Sequence, residues 1–200
     1  MSKASIVQYI LVIFSLVVLI AAITMGYLGQ RISSASYNTT GGITRKYYQQ
    51  STPVTASFII AWGAIYIWNL ANSIYLTVAL FLPDHKSPLK QDPPLLSNYF
   101  FIAHTIAFAC TLVWVLVFDR ELLEVSLVVI IVCLVSVYVA ISLSCKQLAD
   151  GIESGRVDET TSKNMIWCVR ILTQNGLGVF RHLDHHCYFA QYGDCYNLQE

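Results

Sequence analysis

The chain has 200 residues, 56% of them hydrophobic and 12% charged, with a mean hydropathy of +0.56 and a formal net charge of zero. A soluble domain of this size carries about 25% charged residues. The deficit excludes an ordinary water-soluble globule, and the balanced charge gives nucleic acid no footing.

The apolar residues are gathered into long runs, and a helix needs about 20 of them to cross the hydrocarbon of a bilayer. Four runs meet this length: 6–28, 56–82, 98–118 and 122–144. A fifth, 165–180, is short and interrupted by Arg170, Gln174 and Asn175. Helices satisfy every backbone group internally, as lipid demands, and the runs lack the alternation of a β-barrel. The predicted fold is an all-α membrane protein, a five-helix transmembrane bundle. Four helices are complete, and the fifth is incomplete or frame-shifted. A single domain covers 1–180, followed by an irregular tail over 181–200.

The first run exceeds the 7–15 residues of a signal-peptide core, and only Lys3 precedes it, so it reads as an uncleaved helix. The polar connection after it contains Asn38-Thr39-Thr40, which makes Asn38 a glycosylation candidate. In the second run, Trp62, Tyr66, Asn69 and Ser73 fall at i, i+4, i+7 and i+11, on one helical face with Asn72 and Tyr75 nearby. Polar side chains at this depth belong inside a bundle. Two readings stand: an aromatic-lined pocket with polar anchors for an apolar ligand, or a polar stripe that bonds a neighbouring helix.

Pro83, Pro88, Pro93 and Pro94 then stop and stiffen a connection. The third run holds His104 and Trp114. A lone His among apolar residues reads first as a satisfied interior side chain, since no carboxylate or thiol stands at ligand spacing. Asp119-Arg120-Glu121 is a tight hairpin, which makes the third and fourth helices antiparallel neighbours. In the fifth run Arg170 either snorkels to the interface or meets an anionic group. With the N-terminus inside, inner segments hold Lys3, Lys86, Lys90, Lys146, Arg156 and Lys163, and outer ones Arg31, Arg45, Lys46 and Arg120. The positive-inside rule weakly favours that orientation.

The tail after Phe180 changes character abruptly. His182, His185, His186 and Cys187 look like metal ligands, but their spacing fits no zinc pattern, and no metal site is expected. Codons for Asp, His, Tyr and Asn share a middle A and a pyrimidine third base, so read one base later they give Thr, Ile or Met. With the free choices resolved that way, the tail becomes ATWTTIATLLNMAIVTTSK, which would complete a fifth spanning helix. A frame or splice change after Phe180 is therefore expected. The six cysteines read as small apolar packing residues.

Trp62-Gly63-Ala64-Ile65-Tyr66 looks like a W-x-x-x-Y element, and Trp114 through Phe118, followed by Arg120, like W-x-x-x-F. With the shifted tail pattern W-x-x-x-A-x-L-L-N, the chain resembles the tryptophan-rich sensory protein/translocator protein family (TspO/MBR, the peripheral benzodiazepine receptor). It departs from that pattern in having only Pro53 near the second helix and Thr111 where the family has Asn. The resemblance implies a five-helix bundle that binds a sterol or porphyrin between helices, at Trp62, Tyr66, Asn69 and Trp114. Ser73 and His104 complete the candidate ligand-binding set. It also implies the mitochondrial outer membrane, whereas the sequon at Asn38 points to the secretory route.

No catalytic constellation lies at membrane depth, so no enzyme and no cofactor is expected. The expected partners are the lipid bilayer, a sterol or porphyrin ligand and a second copy in a homodimer. The alternative is a multi-pass protein that acts through helix–helix assembly with membrane partners.

Overall fold

The computed structural model describes residues 6–31, 42, 55–158 and 160–182. Asn38 and the tail from 183 onward lie outside the described residues, and with them the glycosylation and reading-frame expectations. Among the described residues there is no strand. Helix α1 spans Ile6–Arg31, α2 Thr55–Ala79, α3 Asn98–Phe118 and α4 Leu123–Glu153. Helix α5 runs over 163–182: it is α-helical at Lys163–Cys168, π-helical at Val169–Asn175 and α-helical again to 182. Helix α3 packs against α4 and α1, α1 also against α2, and the π segment against α2 and α4.

The burial pattern is inverted relative to a soluble bundle. Along α1 the buried positions are Gln8, Val12, Ser15, Leu19 and Ala22, while Ile10, Ile13, Phe14, Val17 and Ile20 are exposed. Along α4, Ser126, Ser136 and Ser144 face inward, and Val125, Val128, Val132 and Val135 face outward. Water would penalise such an exterior, whereas lipid accepts it and drives the polar groups to the interior. Among the described residues three helices, Ile6–Leu28, Asn98–Phe118 and Leu123–Glu153, are long and apolar enough to cross a membrane. The chain is an integral, multi-pass membrane protein.

Caps and turns close one end of the bundle. The Ser87 hydroxyl donates to Ala79 O at 2.7 Å, covering an orphan carbonyl at the end of α2, and Lys90 Nζ donates to Leu82 O at 2.7 Å. Leu89, Leu95 and Leu96 are buried, so the proline-bearing connection folds back over the helices as a plug. Ser97 caps α3 by accepting from Phe100 N, and its own N–H donates to Gln147 Oε1 at 2.9 Å. Helix α4 therefore continues from the apolar run ending at 144 to Glu153. Its charged extension keeps an inner edge, Leu148 and Gly151, packed on Leu95 and Val157. At the opposite end the α3–α4 hairpin turns through Glu121, whose φ of 59° lies in the left-handed region.

The π segment has a visible partner. A π-turn breaks the i→i+4 ladder and can release a carbonyl to an outside donor. Here Trp68 Nε1 donates to Ile171 O at 2.9 Å. One turn further along α2, Thr173 Oγ1 donates to Asn72 Oδ1 at 2.7 Å, both residues being fully buried. Gly176 lets the backbone of α5 lie directly against the Trp68 ring.

Candidate functional site

The six expected ligand-binding residues divide into three places. Trp62 and Trp114 line one small cavity between α2, α3 and α4, together with Cys110, Thr111, Val129, Ile130 and Cys133. The cavity is apolar and holds about 10 Å³, roughly the space of one water-sized sphere. Trp114 is stacked on Phe118 with ring centroids 4.7 Å apart. Among the described residues its buried indole nitrogen has no hydrogen-bond partner.

Tyr66 stands beside this cavity. Its ring lies 5.7 Å from that of Trp62, and its hydroxyl meets the Thr111 side chain. Gly26 of α1 lies beside that hydroxyl, where an added Cβ would make an ordinary contact at 3.5 Å. Thr111 thus links the two tryptophan-bearing helices through Tyr66. Its own hydroxyl donates to Phe108 O at 2.8 Å.

Asn69 and Ser73 lie one and two turns along the same face of α2, both buried. Asn69 Nδ2 donates to Ile65 O at 2.9 Å, and its buried Oδ1 has no partner among the described residues. The neighbouring Asn72 uses its oxygen on Thr173, which leaves its amide nitrogen unsatisfied. A buried acceptor and a buried donor are therefore unused on adjacent turns.

His104 occupies the third place. Its Nδ1 lies 2.7 Å from Ser15 Oγ of α1, and its buried Nε2 has no partner among the described residues. Its ring sits between Phe100 and Phe108, at 5.8 and 4.8 Å. From there an aromatic series crosses the bundle to the cavity: Phe108 to Phe180 at 5.1 Å, Phe180 to Trp62 at 5.9 Å. Phe180 is fully buried. The fifth helix thereby supplies the contact between the histidine and tryptophan regions.

The polar residues that interrupt the fifth run face different ways. Gln174 turns inward, with Nε2 3.5 Å from Ser144 Oγ, whereas Arg170 is exposed and lies over the Trp167 ring. Sequence reasoning missed the α4 lining of the cavity, the Asn72–Thr173 bond and the role of Gly176. Asn72 and Thr173 carried a signal, since each is a polar residue within an apolar segment. Val129 and Ile130 carried none, because their outward neighbours are equally apolar.

A family model described as TSPO-like protein matches residues 12–171. No curated protein and no solved structure matches the chain.

Proposed function

The chain belongs to the TSPO-like protein family, and from that premise we propose that it is a non-catalytic membrane protein that binds an apolar ligand of the sterol or tetrapyrrole class between α2, α3 and α4. One observation carries this reading: Trp62 and Trp114, from two helices far apart in sequence, meet on one apolar cavity. The cavity is far smaller than the several hundred Å³ such a ligand needs, so the described state is closed. On this reading, binding parts the helices that line the cavity, where Val129, Ile130 and Cys133 form the α4 wall. The unused amide atoms of Asn69 and Asn72 and the Nε2 of His104 offer neutral hydrogen-bonding groups deeper in the bundle. A hydroxyl or carbonyl on the ligand suits them, because satisfying a buried polar atom recovers its desolvation cost.

The alternative, assembly with membrane partners through the polar stripe, has less to work with. Asn69, Asn72 and Ser73 are enclosed by the chain's own helices, and the outward faces are mainly aliphatic and aromatic.

A titration followed by tryptophan fluorescence tests the proposal. A sterol or porphyrin should quench the wild-type protein saturably. The Trp62→Leu/Trp114→Leu variant should bind about ten-fold more weakly when followed by ligand fluorescence, since aromatic contacts add to simple burial. Equal affinity in both proteins would remove the cavity as the site.

A further inference from the structure

A second site lies on the outside of α5, at the end of the bundle closed by the proline-bearing connection. Met165 and Ile166 pack there on Leu95 and Leu148, which places the start of α5 where the apolar runs meet water. Lys163, Trp167 and Arg170 follow at i, i+4 and i+7 on one face. With Thr160 and Ile166 they line an open groove of about 360 Å³.

The side chains in this groove are disposed for an anion. The Arg170 guanidinium lies 5.9 Å from the centre of the Trp167 ring and is thereby turned back toward the start of the helix. Trp167 is 49% exposed, and tryptophan favours the headgroup level of a bilayer. Among the described residues no carboxylate is bonded to Lys163 or Arg170. The nearby Asp158 is held at the edge of the groove by Thr160 and Thr161 rather than by either cation. It accepts from the Thr161 hydroxyl and from Thr160 N and Thr161 N at 3.1 and 3.2 Å, bonds that hold its carboxyl below the usual pKa. Ile171, exposed one turn beyond Trp167, continues the surface toward the hydrocarbon.

We propose that this groove binds the phosphate of an anionic glycerophospholipid. Lys163 and Arg170 flank the phosphate, and an acyl chain runs along Trp167 and Ile171. A cation near an anionic membrane surface is worth roughly a five-fold gain in binding, so two give about twenty-five-fold.

Native mass spectrometry of the full chain in detergent, with phosphatidylglycerol and phosphatidylcholine in competition, tests this. Wild type should retain phosphatidylglycerol about twenty-five-fold more strongly. The Lys163→Gln/Arg170→Gln variant should lose that preference, while Lys163→Arg/Arg170→Lys should keep it. If the double glutamine variant fails to fold, Lys163→Gln alone, at an exposed helix start, should show about a five-fold loss. Equal retention of the two lipids by wild type would overturn the proposal, and so would an unchanged preference in the glutamine variants. Displacement of phosphatidylglycerol by inorganic phosphate, at an ionic strength matched with chloride, would overturn it too, by making the groove a general anion site.

Discussion

Gly176→Ala should lower the thermal stability of the detergent-solubilised protein, while Gly178→Ala, two residues along the same helix, should not. A Cβ on Gly176 would lie 2.8 Å from Trp68 Cδ1 and 3.3 Å from Trp68 Nε1. The ring cannot retreat freely, because its N–H is bonded to Ile171 O at 2.9 Å. Overpacking of this kind costs about 1–3 kcal/mol, and Gly176→Val should cost more. At Gly178 an added Cβ meets nothing within 4 Å, so alanine there should be neutral or stabilise by up to about 1 kcal/mol through helix propensity. Unfolding followed by circular dichroism separates the two. Equal midpoints for both variants would mean that α5 does not rest on Trp68 as described.

Ser15→Ala should destabilise the protein by about 1–3 kcal/mol, the cost of leaving a buried polar atom unsatisfied. Ser15 Oγ is the hydrogen-bond partner of His104 Nδ1, and Nε2 already has none. Removing the hydroxyl therefore strands the whole imidazole among Phe100 and Phe108. Adding His104→Phe should restore most of the loss, because replacing both partners of a buried hydrogen bond by apolar groups is nearly neutral. A double-mutant cycle of unfolding free energies reads this coupling. Additive losses would show that the Ser15–His104 bond contributes little to holding α1 on α3.

These two sites differ in how far the sequence exposed them. The inward face of α2 was legible, because Trp62, Tyr66, Asn69 and Ser73 repeat at helical spacing and polar atoms in lipid must turn inside. His104 was legible as an interior residue, but its partner on α1 was not. One serine in an aliphatic helix does not announce which helix it faces. The π segment was illegible, since Val169–Asn175 has no local signature that separates it from an α-helix. It is set by tertiary contacts, with Trp68 taking a carbonyl and Asn72 taking the Thr173 hydroxyl. The extension of α4 to Glu153 was hidden by its charges. Lys146, Asp150 and Glu153 sit on the exposed side, while Leu148 and Gly151 hold the inner edge. The cavity wall on α4 was hidden for the opposite reason: in lipid an aliphatic residue is equally acceptable inside and out, so Val129 and Ile130 could not be told from Val128.

Photolabelling with a diazirine sterol, followed by peptide mapping, tests the proposed entry of ligand between α2, α3 and α4. Labelling should concentrate on Cys110–Trp114 and Val129–Cys133 and fall when unlabelled sterol competes. Labels confined to the lipid-facing positions Ile13, Val17, Val128 and Val135, and indifferent to competitor, would contradict it.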